Sequence, residues 1–423
     1  MNKIIKNMFI TALSFSLFLT GCTGGGGTQT QSSSSGEEQS TVIDHDTPTF
    51  DLNRYLVPVW DDNGIAYNET AMLIRTPDDM DVFDVQLAYP IDEIISVRDF
   101  SLDTEYVKGV DYDLEDGILK IKGTGRLYDI AIAYKEYFIE KYNGNNGWPC
   151  VEGEGAQLKT EAEFGNQGLT AYQIAVTYKH SATWDGVKPA DKSATFAKLS
   201  QKLASGSQVN VVCLGDSISY GWTASGLNEV FLRPFCPNYF TLVTNYMNYK
   251  FGNVSAYNFS VGGMSANWGC EAKQISDVVS KNPDLLILAF GMNDGSGQTS
   301  YSPDTFYNNI KKTIDGVREA CPDCEIVLVS TMLPNAEVGY HPGNSILGNQ
   351  KNYIPKLMEL ESSYTGIAVA NVTEIHEHLL QRKNFRDMSA NNINHPNDYV
   401  HRVYAQVVLQ TVFGKIERVT IPE

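Results

Sequence analysis

Four near-continuous apolar runs mark the second half of the chain: Val209–Leu214, Asp284–Phe290, Glu325–Ser330 and Ile367–Val372. Strands buried on both faces read this way, as in a parallel sheet covered by helices. Segments with helical spacing separate them, at Glu271–Lys281, Asp304–Ala320 (with Pro303 just before it) and Tyr353–Ser362. A last one, Asp398–Val412, carries Val400, Val403, Tyr404, Val407, Val408 and Thr411 on helical positions. The pattern predicts an α/β domain with a doubly wound parallel sheet over residues 208–416. Chemistry in such folds sits beyond the carboxyl ends of the strands.

The first half has a different rhythm. Leu56–Trp60, Ala71–Arg75, Ile94–Arg98 and Ile118–Lys122 are short β-rich runs, separated by turn-forming clusters such as Asp61–Gly64. Two longer runs, Tyr128–Lys135 and Tyr172–Lys179, alternate strictly. Alternation places Ile130, Ile132 and Tyr134 on one face, with Ile174, Val176 and Tyr178 as the matching set. Few helical patterns intervene, so residues 49–185 are expected to form an all-β sandwich of jelly-roll type. Residues 186–207 read as a linker with a short connecting helix at Ser193–Leu203.

Composition sharpens this picture in two ways. Of 423 residues, 42% are apolar and 19% charged, a globular balance. The formal net charge of −18 argues against a nucleic-acid partner, which would demand clustered Lys and Arg. The amino terminus stands apart: Lys3 and Lys6 precede an apolar stretch, Met8–Leu19, too short to span a bilayer. It ends in Leu19-Thr20-Gly21-Cys22, which resembles the lipobox of bacterial lipoproteins. The resemblance implies a signal peptide over 1–21, lipidation at Cys22, and export to the bacterial cell envelope with the lipid anchor as the sole membrane contact. Residues 22–48, rich in Gly, Ser, Gln and Thr, read as a flexible tether.

Six further cysteines are Cys150, Cys213, Cys236, Cys270, Cys321 and Cys324. Cys321-Pro-Asp-Cys324 has redox or zinc spacing, but no second Cys/His pair with metal spacing accompanies it. A local disulfide or two plain thiols is the better reading, and no metal site is expected. Cys213 lies inside an apolar run and reads as core.

Candidate chemistry falls at the strand ends. The segments are Gly215-Asp216-Ser217, Asn258-Phe-Ser-Val-Gly-Gly263, Gly291-Met-Asn293-Asp294 and Asn392-Ile-Asn-His395-Pro396. In this order they resemble the four signature blocks of the SGNH, or GDSL, hydrolases. That resemblance implies Ser217 as nucleophile, His395 as general base, and an oxyanion hole from the Ser217 and Gly263 N–H groups and the Asn293 side-chain amide. It implies no metal and no organic cofactor, since acyl transfer through Ser and His needs none. One position departs from the family: the acid three residues before the His is here Asn392. A Ser-His dyad is therefore expected, with Asn392 orienting or spacing the ring; Asp387, Asp398 or a backbone carbonyl are the other partners open to it. Trp222 and Trp268 are candidate pocket residues, with Tyr220 and Met264 nearby in sequence.

These readings converge on a serine esterase that removes O-acyl, above all O-acetyl, groups from a polysaccharide or oligosaccharide. The order of a β-domain before the hydrolase domain resembles the two-domain carbohydrate acetylesterases. Two alternatives stay open: a lipid or short-chain acyl esterase, and a glycan-binding lipoprotein with a degenerate hydrolase domain.

Overall fold

The computed structural model describes residues 51–421, apart from 63, 76–81, 134–137, 140–147, 150–156, 159–167, 228–230, 297–299 and 342–343. The expected signal peptide and tether with Cys22, and also Cys150 and Tyr134, lie outside the described residues.

In the amino-terminal region β1 (Ile65–Met72), β2 (Glu93–Asp99) and β3 (Gln173–Lys179) form an antiparallel sheet in the order β1-β3-β2. Ile174, Val176 and Tyr178 face the core as alternation predicts. The opposite face of β3 is also buried, through Gln173, Ala175 and Thr177, and Gln173 there meets the carbonyls of Arg386 and Ser389. A second antiparallel sheet joins Val82–Val85, Ile118–Lys122 and Tyr112–Glu115.

Two expected strands are not strands. Leu56–Trp60 follows a short helix at Leu52–Tyr55, started by Asp51, whose carboxylate accepts the N–H groups of Asn53 and Arg54. Arg126–Ile130 is likewise helical, and only Ile132–Ala133 of that alternating run is extended among the described residues.

The carboxyl-terminal region holds β4 (Val209–Gly215), β5 (Val254–Asn258), β6 (Leu285–Ala289), β7 (Glu325–Val329) and β8 (Ile367–Ala370). They form one all-parallel sheet in the order β5-β4-β6-β7-β8. The order reverses beside β4, the switch point at which ligands bind in such sheets. Period-two alternation splits the sheet between two cores. Val212, Leu214, Leu286, Leu288, Ile326 and Leu328 pack against α3 (Pro303–Ala320) and α4 (Ile354–Ser363). Val211, Cys213, Ile287, Val327 and Val329 face α1 (Tyr239–Phe251) and α6 (Asp398–Phe413). Two further helices, α2 (Ala272–Val279) and α5 (Val372–Leu380), flank the sheet.

Helix α6 is buried on nearly every side. A helix enclosed in this way needs apolar residues all round and a partner on each face. The sheet supplies one partner and the amino-terminal region supplies the other. Arg402 donates to the Asn68 and Tyr67 carbonyls and lies over the Tyr55 ring, while Gln406 donates to the Tyr55 and Val57 carbonyls. One continuous core thus runs from Leu52 through β3 and the parallel sheet to Val419. Within residues 186–207, Phe196, Leu199 and Leu203 are buried in that same core.

Candidate active site

Ser217 begins where β4 ends. Gly215 permits the sharp exit, since a Cβ there would lie 2.4 Å from the Ala289 carbonyl and 2.5 Å from Ser219 Oγ. Asp216 then caps the short helix Ser217–Tyr220, its carboxylate accepting the Ile218 N–H at 2.9 Å. Burial pushes the Asp216 carboxyl up to about 7. The Ser217 N–H donates to no other group among the described residues.

The second segment is tied to the first through Asn258, whose amide donates to the Ser219 carbonyl at 2.8 Å. Beyond it Val261, Gly262 and Gly263 are exposed, and Gly263 holds φ +77°, a conformation that favours glycine. A Cβ on Gly262 would lie 3.8 Å from Ser217 Cβ, so this loop runs alongside the serine.

Asn293, in the third segment, donates one amide N–H to the Met264 carbonyl at 2.8 Å. A primary amide has two N–H groups, so one remains for a ligand. Its neighbour Asp294 is buried and accepts the Ala266 N–H at 2.9 Å, joining the second and third loops.

The fourth segment brings His395 to Ser217, with Nε2 2.8 Å from Oγ. The loop that carries it closes on itself. Ser389 and Pro396 form a β-bridge, Ser389 Oγ donates to the His395 carbonyl at 2.8 Å, and Asn397 caps α6. His395 is half-buried, and desolvation of its ring lowers its pKa to about 4. No carboxylate pairs with that ring among the described residues.

The orienting residue differs from the expectation. Asn392 does not reach His395: its φ of +56° turns the side chain away, and Oδ1 accepts from the Asn335 amide at 3.1 Å. Asn391 stands in its place, with Nδ2 2.8 Å from His395 Nδ1. Neither aspartate substitutes. Asp387 accepts from the Met72 and Asn384 N–H groups, and Asp398 from the Ser225 N–H and hydroxyl. A backbone carbonyl does not take the position either, because the Asn391 amide fills it.

The amino-terminal sheet braces this loop from below. Gln173 Nε2 donates to the carbonyls of Arg386 and Ser389, and Thr70 Oγ1 donates to the Asp387 carbonyl. Asn397 Nδ2, two residues after His395, reaches Thr70 Oγ1 at 2.9 Å and Gln173 Oε1 at 3.0 Å. A fully buried ion pair, Lys383 to Glu69 at 2.6 Å, fastens the start of the same segment, and Tyr178 donates to the other Glu69 oxygen. Spacing alone gave no sign of these contacts.

Of the two tryptophans, Trp222 belongs to the site, its ring 6.4 Å from that of His395. Trp268 packs edge-on against Phe290 and contributes to the core beneath. Cys321 and Cys324 are buried free thiols, and Cys213 is a buried core residue whose thiol is pushed up to about 11.

Among known proteins, the GDSL-like Lipase/Acylhydrolase family model matches residues 213–403. No curated protein sequence matches the chain. Solved structures similar to it include a two-domain esterase (CEX) active on acetylated mannans, co-crystallised with mannopentaose. That pair shares 19% identity and a TM-score of 0.41 over 56% of this chain and 58% of the esterase. The acetyl xylan esterase AlAXEase is similar at 18% identity and TM-score 0.38, covering 48% of this chain and 98% of its own. Axe2, an acetylxylan esterase from Geobacillus stearothermophilus, shows 14% identity and TM-score 0.40, covering 50% and 96%. The family match spans the strand-end segments from β4 to α6, so over residues 213–403 this chain is similar to the GDSL-like lipase/acylhydrolases, a likeness that supports a carboxylic ester hydrolase.

Proposed function

We propose that this protein removes O-acyl groups, O-acetyl above all, from a polysaccharide or oligosaccharide through Ser217 and His395. The observation that carries this reading is the 2.8 Å contact between Ser217 Oγ and His395 Nε2 at the carboxyl edge of a parallel sheet. In the reaction Ser217 Oγ attacks the ester carbonyl carbon and its proton passes to His395 Nε2. The oxyanion is met by the N–H groups of Ser217 and Gly263 and by the second N–H of Asn293. Fixed donors of this kind are worth about 10²–10³ in kcat apiece. Collapse expels the sugar alkoxide, which takes the proton from His395. Water, deprotonated by the same ring, then releases the acid from Ser217.

Three features support a small acyl group on a glycan. No long apolar run flanks the four segments outside the buried strands, as a lipid-binding cleft would require. The Trp222 ring beside His395 offers an apolar face of the kind on which a sugar stacks. The net charge of −18 suits a neutral polymer. The lipobox-like Leu19–Cys22 segment supports an enzyme exported and held at a bacterial envelope through acylated Cys22, where extracellular glycan is within reach.

The test is acetate release from a panel of acetylated glycans, with p-nitrophenyl esters of rising chain length as control. The reading expects release from at least one glycan and a rate that falls steeply beyond short acyl chains. A preference for long chains with no acetate release would make the protein a lipid esterase instead.

A further inference from the structure

The hydrogen bonds around Asn391 fix which way its carboxamide points. Its Oδ1 accepts the backbone N–H groups of Ile393, Asn394 and His395 at 2.9, 3.0 and 3.0 Å. Backbone N–H groups can only donate, so the atom they surround is the oxygen. The amide nitrogen must then face the other way, towards Asn394 Oδ1 at 3.2 Å and His395 Nδ1 at 2.8 Å. Facing a donor, Nδ1 must accept. A neutral imidazole carries a single proton, which is therefore on Nε2, pointing at Ser217 Oγ.

An Nε2 that already holds a proton cannot take one from Ser217. We propose that Asn391 is a positioning residue that parks His395 in the Nε2–H tautomer, so that the site rests switched off and works through a minor form. The inference rests on Ser217 and His395 being the nucleophile and base. To reach the working form, Nε2 loses its proton to solvent, Nδ1 gains one from solvent, and the Asn391 carboxamide turns over to present Oδ1 to the new Nδ1–H. That rotation sets its NH2 group against three backbone N–H donors, which keeps the working form rare. The imidazolium formed during catalysis meets the same obstacle at Nδ1. A carboxylate at position 391 has no donor face, so it could accept the three backbone N–H groups and Nδ1–H together.

The test is made on the full chain with ¹⁵N-labelled histidine, His395 being assigned by its loss in His395→Asn. Long-range ¹H–¹⁵N correlation is expected to show Nε2–H in the wild type and Nδ1–H in Asn391→Asp. With p-nitrophenyl acetate, Asn391→Asp is expected to raise kcat at least tenfold with KM within about twofold. A full tautomer defect in a serine triad costs about 10⁴. Asn392→Asp, at the position of the family's acid, is expected to give no such rise, because that side chain faces Asn335. Nδ1–H in the wild type, or a folded Asn391→Asp no faster than the wild type, overturns the proposal. Turnover that survives Ser217→Ala would instead sink the underlying esterase reading, and the tautomer measurement does not depend on turnover.

Discussion

At the scale of single residues, what touches His395 decides how the site works. Desolvation without a paired carboxylate holds its pKa near 4. The sign follows directly: the ring stays neutral down to low pH, and protonation removes it as a base only as pH falls through about 4. The acid limb of kcat/KM, which reports the free enzyme, is thus expected near pH 4 rather than at the ordinary 6.5. A limb at 6.5 or above would show that a negative charge supports the ring after all. Replacing Ser217 with Ala is expected to lower kcat at least about 10⁴-fold while leaving the thermal midpoint within a few degrees. Ser217 and His395 were legible in the sequence because strand ends and signature order locate them. Asn391 was not: spacing from the histidine pointed to Asn392, whose positive φ rotates its side chain onto Asn335. The signal that could have found Asn391 is its Asx-turn chemistry, an Asn whose oxygen gathers the next N–H groups.

At the scale of elements, the amino-terminal sheet earns its place by holding the loop that carries His395. Gln173→Ala removes two bonds to the Arg386 and Ser389 carbonyls and one acceptor of Asn397. It is expected to cost about 1–3 kcal/mol of stability. It should also reduce kcat about tenfold or more with little change in KM, because a displaced base harms chemistry more than binding. Unchanged kcat in a folded variant would show that the loop holds itself. Lys383→Met leaves the Glu69 carboxylate buried and unpaired, and loss of a partner in such a pair costs about 3–5 kcal/mol. Chemical denaturation should resolve that. The four apolar strands and α2, α3, α4 and α6 could be read from periodicity to within a residue or two. Helix α1 could not, since Tyr, Phe, Thr and Asn fill it without a clean stripe. Arg126–Ile130 misled because alternation over a few residues does not separate strand from a single helical turn.

At the scale of the molecule, the two halves share a core. Helix α6 has apolar and aromatic contacts on both sides, and Arg402 and Gln406 spend their donors on amino-terminal carbonyls. Residues 51–421 are therefore expected to unfold in a single cooperative thermal transition by calorimetry, and two separated transitions would contradict a shared core. The sequence showed where the pattern changes near residue 207 but not that the regions meet, since contacts such as Asn397 to Thr70 join positions with no local relation. Ester hydrolysis through Ser217 is checked by rapid acid quench of the protein with p-nitrophenyl acetate followed by peptide mass spectrometry. An acetyl group is expected on the peptide containing Ser217, absent in Ser217→Ala and accumulating in His395→Ala. Turnover without acylation of Ser217, or no turnover of any acyl ester by the folded protein, would contradict it.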